Sequence, residues 1–340
     1  MSYTIDVYRG QVKATKNFID FATYTTLFPQ LVAGPIVRYK SIESELKHRT
    51  TNLQQITAGI SRFVIGLAKK LIISNNCGFL ADNIFSLHKE DLSSPLAWLG
   101  IIAYSLQIYF DFSGYTDMAI GLGKMFGFNF PENFNIPYSA KTVREFWKRW
   151  HITLSQWFRD YIYIPLGGNR TSNLRTYFNL FIVFFLTGLW HGANWTFIIW
   201  GIIHGIFIIS EKLGLATYLS KLPNFVAHMY LLLIVLFSWV FFRSDTINDA
   251  LNYINAMLSF NTKTNMAFLN YYLTFEVGLS LLLAIFFATP LPQKLILNIK
   301  TSISQKTYNS VKLFSLISLY ILCFFYISID AYNPFIYFRF

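Results

Sequence analysis

The chain has 340 residues, of which 54% are hydrophobic, 19% aromatic and only 13% charged, with a mean hydropathy of +0.40. Soluble domains carry roughly a quarter of charged residues, so this composition excludes one and indicates a polytopic integral membrane protein. The net charge of +11, from 28 basic and 17 acidic residues, is spread between apolar spans, which suits cytoplasmic loops and anionic lipid headgroups rather than a nucleic-acid-binding module.

Residues 1–18 lack the charged, apolar and cleavage regions of a secretory signal, so insertion is expected to rely on later spans. Residues 18–35 are apolar but interrupted by Pro29, Gly34 and Pro35. They predict a broken or re-entrant helix, because about 20 residues are needed to cross the hydrocarbon core. Residues 38–49 are charged and belong outside the lipid. Residues 53–73 predict a helix whose Lys69 and Lys70 mark a cytoplasmic end. Residues 95–108 are apolar and run into 109–123, where Asp111, Ser113, Gly114, Thr116 and Asp117 interrupt the apolarity. Buried carboxylates at Asp111 and Asp117 need partners and are expected to tie neighbouring helices together. Cys77 and Cys323 lie in or beside apolar segments without redox spacing, and no metal-ligand pattern is present.

After a loop over 126–138 rich in proline and asparagine, residues 142–161 predict one amphipathic helix at the membrane interface. Arg144, Lys148, His151, Ser155 and Arg159 fall on one stripe, with Phe146, Trp147, Trp150, Leu154 and Trp157 beside it at headgroup level. Thr142 and Glu145 have capping-box spacing. Such a helix also serves as a plain surface anchor. Residues 165–170 form a turn, and 177–190 and 195–209 form two apolar halves around a break at Gly192-Ala193-Asn194. His191 stands at that break. Lipid does not solvate an imidazolium, so a histidine there faces a wet cavity or serves as a neutral ring bonded to a neighbouring helix. His204 is predicted to be a packing or hydrogen-bonded histidine, while His48, His88 and His228 lie near segment ends. Further spans are expected at 225–242, 268–288 and 313–329, giving an all-α bundle of about eight to ten helices, partial spans included.

Two strings make the sequence recognisable. Residues 144–170 contain Arg144-Glu145-Phe146-Trp147-Lys148-Arg149-Trp150-His151 and Asp160-Tyr161-Ile162-Tyr163-Ile164-Pro165-Leu166-Gly167-Gly168, and Gly188-Leu189-Trp190-His191-Gly192-Ala193 follows. With the segments at 28–38, 109–121 and 333–338, they closely resemble the membrane-bound O-acyltransferase family, in its alginate and peptidoglycan O-acetyltransferase branch. The resemblance implies a single integral-membrane domain over 1–340, a bundle with broken and re-entrant helices. Residues 2–10 look like an internal segment of the family, so the chain is expected to lack the family's N-terminal helices.

The resemblance further implies that His191 matches the family's near-invariant histidine and His151 its second polar position. Transfer of an acyl group from a thioester to a hydroxyl needs a base near neutral pH, and histidine supplies one. His151 is left with three roles: orienting the acceptor, bonding the carbonyl oxygen, or relaying a proton. Trp190, Asn194 and Trp195 are expected pocket walls. Arg144, Lys148 and Arg159 are expected to attract the phosphates of an acetyl-CoA donor, which is a substrate and not a tightly bound cofactor. The implied setting is the cell inner membrane, with lipids, a periplasmic acetyltransferase partner and a polysaccharide acceptor. D-alanyl transfer to an envelope polymer and a non-enzymatic transporter are the competing readings.

Overall fold

The computed structural model describes residues 1–31, 34–263, 265–329 and 335, and every regular element among them is helical. Val32 and Ala33 of the segment at 28–38, and the closing string at 333–338 apart from Phe335, lie outside the described residues. At the centre is a helix of 32 residues, Ser94–Met125, with 78% of its apolar window buried. The polar residues expected to interrupt it at 109–123 do not, because Asp111, Gly114, Thr116 and Asp117 each have a use inside the helix or against a neighbour. Thr116, for instance, donates its hydroxyl back to the Phe112 carbonyl at 3.0 Å.

The helix Leu53–Ala68 packs along this centre and does not end at its lysines. It passes through a π-helical turn, Lys69–Ser74, into Asn75–Phe85. Lys69 and Lys70 are therefore not the end of the helix, which runs on past the predicted limit at residue 73. The reason is electrostatic: Lys69 lies 2.6 Å from Asp117 and Lys70 2.5 Å from Asp111. Carboxylates buried in the central helix are tolerable only with counter-charges at hand. Arg62 adds a second partner for Asp117 at 2.7 Å and also holds Glu132. The two backbones meet at glycines seven residues apart on each helix. A Cβ added at Gly66 would lie 2.6 Å from the Gly114 carbonyl oxygen, and one at Gly59 2.6 Å from that of Gly121. Small residues permit such close helix approach in a membrane.

Residues 18–31 form the short helix Phe18–Thr26 and a 3-10 turn, Phe28–Gln30, as their prolines predict. Among the described residues, four helices are long and apolar enough to cross a membrane: Ser94–Met125, Trp195–Lys221, Asn224–Arg243 and Gln305–Ile329. A fifth span would join Met266–Tyr272 and Phe275–Phe287, which bend by 78° at their junction. The other described helices are shorter or less apolar. Gln305–Ile329 has only 6% of its apolar window buried, which leaves its phenylalanine, leucine and isoleucine side chains to lipid.

Candidate active site

The segment at 142–161 is not the continuous amphipathic helix its periodicity predicts. Val143–Trp147 ends after five residues, and the next helix, Ile152–Phe158, starts at His151, whose backbone is left-handed with φ of 43°. A π-helical turn, Arg159–Tyr163, follows. The break turns His151 out of the predicted stripe, while Arg144, Lys148, Ser155 and Arg159 still line one cavity. The neighbouring apolar face packs into the core: Phe146, Trp147, Trp150 and Leu154 are buried, and Trp157 is half-buried against them. Trp150 packs 5.0 Å from Phe134 and 5.1 Å from Trp239, and Trp147 5.3 Å from Phe184. Rings of this size gain more from burial between helices than from an interface. The capping box is displaced by one residue. Thr142 accepts the Glu145 N–H at 3.0 Å, but the Glu145 carboxylate accepts the N–H of Lys141, at 2.9 Å.

A left-handed backbone costs a non-glycine residue about 1–3 kcal/mol and persists where its surroundings over-determine it, commonly at functional sites. Here the preceding loop supplies the constraint. The Asn133 carbonyl accepts the Ile152 N–H at 3.0 Å, and Asn135 donates its N–H to the Arg149 carbonyl at 2.9 Å. The His151 side chain is 3% exposed. Its Nδ1 lies 3.1 Å from Asn133 Oδ1, and the same oxygen accepts the N–H and hydroxyl of Thr153 at 3.2 and 2.9 Å. Phe112 of the central helix meets the imidazole edge-on at 4.7 Å.

His191 is the last residue of Asn173–His191, where Gly192 is extended and Asn194 starts the helix Trp195–Ser210. The break is thus where the sequence placed it. His191 is half-buried, its ring 4.9 Å from Trp190, 5.0 Å from Trp200 and 5.1 Å from Phe242. Trp190 also lies 6.3 Å from His151, so one indole packs against both histidines. The two half-helices are drawn together at Gly188 and Gly201; a Cβ at Gly201 would stand 2.4 Å from the Phe184 carbonyl oxygen.

The other sequence-predicted residues take different places. Asn194 is a cap: its Oδ1 accepts the Thr196 N–H at 3.2 Å and its Nδ2 donates to the Asp245 carbonyl at 2.6 Å. Trp195 is 65% and Trp190 52% exposed, so the break opens outward beside His191. His204 is buried with Nε2 3.1 Å from Ser238 Oγ, as expected of a packing histidine.

Arg144 and Lys148 come together with Arg159 and Lys212 around a cavity of about 940 Å³. Its one carboxylate, Glu211, is engaged in accepting the N–H groups of Val143 at 2.6 Å and Arg144 at 3.0 Å. Neither histidine lines this cavity. Its wall carries Ile152, next to His151, and Thr187, which is one helical turn or about 6 Å before His191. Arg159 also bonds Asp160 at 2.6 Å, and Arg38 holds the same carboxylate at 2.6 Å. Burial opposes the charge of Asp160, but the two guanidinium groups outweigh it and hold the carboxyl below its usual range. Asn133 and Glu211 escaped the sequence reading. The first looks like an ordinary loop asparagine, and the second lies 68 residues from the N–H of Val143 that it caps.

The family model described as MBOAT, membrane-bound O-acyltransferase family, matches residues 11–243. A Pseudomonas aeruginosa protein named "Probable alginate O-acetylase AlgI" is 47% identical over 262 residues, 77% of this chain and 50% of that protein. The Pseudomonas putida protein of the same name is 41% identical over 355 residues, 100% of this chain and 73% of that protein. A peptidoglycan O-acetyltransferase of Helicobacter pylori is 43% identical over 252 residues, 72% of this chain and 47% of that protein. The chain therefore spans about half the length of the first and third of these relatives. With the family match covering more than half of the chain and both histidines within it, the protein belongs to the membrane-bound O-acyltransferase family.

Proposed function

We propose that the chain carries the reaction centre of a membrane O-acetyltransferase, which takes acetyl groups from acetyl-CoA and passes them to a hydroxyl of an exported or cell-wall polysaccharide. The observation that carries this reading is the placing of the two histidines. They meet at Trp190, beside an outward-opening helix break, and the lining of a cavity edged by four cations includes Thr187, one helical turn before His191. Phosphates of the donor suit Arg144, Lys148, Arg159 and Lys212, and its pantetheine arm suits the apolar wall of Leu180, Val183 and Phe184. The acceptor hydroxyl arrives from the break. His191 takes its proton as the oxygen bonds to the acetyl carbonyl carbon, the carbon–sulfur bond breaks, and the proton leaves with the thiol.

The names of the relatives support an envelope polysaccharide as the final acceptor. In this reading the protein sits in the cell inner membrane, receives its donor from the cytoplasm and hands the acetyl group to a periplasmic partner. The test is to express the chain and its His191→Ala form at matched membrane levels and measure ester-linked acetate on the envelope glycan. Loss of acetate in the variant is expected; equal acetate removes His191 from the chemistry.

A further inference from the structure

We infer that Asn133 is a positioning residue that fixes His151 as the Nδ1–H tautomer, so that Nε2 is left as the ring's hydrogen-bond acceptor for the reaction. The inference deepens the acyltransferase reading and rests on it for its functional meaning, while the geometry stands by itself.

The hydrogen positions follow from groups that have no choice. The backbone N–H of Thr153 can only donate, and it points at the Asn133 side chain at 3.2 Å, so the amide atom there is the oxygen. The Thr153 hydroxyl agrees. Its oxygen already accepts the Ile36 N–H at 3.0 Å, which leaves its hydrogen for Asn133 Oδ1 at 2.9 Å. An oxygen facing His151 Nδ1 at 3.1 Å requires a proton on that nitrogen. A neutral ring then carries its lone pair on Nε2.

The amide keeps this orientation although its Nδ2 has no hydrogen-bond partner among the described residues and is buried. A buried donor left alone normally costs about 1–3 kcal/mol, so the threefold acceptor at Oδ1 outweighs it. The loop itself is anchored from further away. Glu132, the preceding residue, is held by Arg62, which also grips Asp117 of the central helix. On the other side Asn133 serves as the cap of Ile152–Phe158, its main-chain carbonyl taking the first N–H and its side chain the second.

This selects among the three roles the sequence leaves open for His151. While neutral, it has no hydrogen on Nε2 to offer a developing carbonyl oxyanion. It accepts there instead, from a hydroxyl being oriented or a proton being relayed. His191 is the titratable group on the far side of Trp190; Phe112 and Trp190, which pack on the ring, carry no charge.

The test uses the full chain in lipid nanodiscs with ¹⁵N-labelled histidine, taking the His151 signals as those lost in His151→Gln. The ring-nitrogen shifts of the wild type are expected to report Nδ1–H. Asn133→Asp, which keeps the acceptor, retains that state, and Asn133→Leu loses it. With acetyl-CoA as donor, Asn133→Leu is expected to lower kcat roughly 100-fold, the scale of one well-placed proton-transfer group, with KM for acetyl-CoA unchanged. Asn133→Asp stays within about tenfold, and the acid limb of its pH profile moves to higher pH, since a carboxylate beside Nδ1–H favours the imidazolium. A wild-type ring with its hydrogen on Nε2, or a tautomer untouched by Asn133→Leu, overturns the inference. If the tautomer is as expected but the wild type transfers no acetyl group, the acyltransferase reading fails and the assignment of the ring stands.

Discussion

His151 and His191 touch the same indole and are held in opposite ways. His151 is buried and its Nδ1 is tied to Asn133, on a left-handed backbone that the loop 133–135 over-determines. His191 is half-buried at the last residue of a helix, set between Trp200 and Phe242 by ring packing. The difference separates two tasks. A group whose protonation site is dictated by the scaffold suits passing or orienting a proton, while a group at an open break suits meeting a substrate.

The largest effect should come from the open member. His191→Ala is expected to reduce acetyl transfer by about 10²–10⁴-fold and to leave the thermal midpoint of the solubilised protein near that of the wild type. His151→Ala sharpens the contrast, because it removes a buried ring from beneath Phe112 while keeping a strained backbone. It should lower transfer and also cost about 1–3 kcal/mol of stability, read as a lower midpoint. If both variants lose activity without any loss of stability, the two sites are alike and the contrast fails.

Gly201→Leu tests whether the break depends on the hairpin that carries it. With a Cβ meeting the Phe184 carbonyl at 2.4 Å, the half-helices must separate. A stability loss of about 1–3 kcal/mol is expected, with reduced transfer even though neither histidine is altered. Arg144→Ala and Lys148→Ala, at the exposed edge of the cavity, should have the smallest effects. Each is expected to raise the KM for acetyl-CoA about two- to fivefold with kcat unchanged. The difference should shrink at higher ionic strength, because exposed charges are screened.

Much of this arrangement is legible in the residues. Apolar runs and their interruptions mark the membrane class, the break at Gly192-Ala193-Asn194 and the short segment around Pro29, because glycine and proline act on the local chain. The need of Asp111 and Asp117 for partners is also legible, but the identity of the partners is not. Lys69 and Lys70 look like the end of a span from their neighbours in sequence and are claimed by carboxylates more than 40 residues away. Periodicity likewise makes 142–161 one amphipathic helix, since it has no means of registering the bonds from Asn133 that cap a new helix after His151. Local signals report local geometry; the site is completed by contacts that cross the chain.

The π-helical turn at Lys69–Ser74 leaves the Ile72 carbonyl available to two side chains, Asn76 at 2.8 Å and Ser280 at 3.0 Å. Such a turn holds one residue more than the regular ladder needs. The sequence length of this stretch is therefore a phase setting. Excising one residue from it would let the ladder close as an ordinary α-helix with everything downstream still on its face, whereas removing a second would rotate everything downstream by about 100°. Cys77, Leu80, Ala81 and Ile84, which pack into the core, would then turn out of it, although no side chain among them had changed.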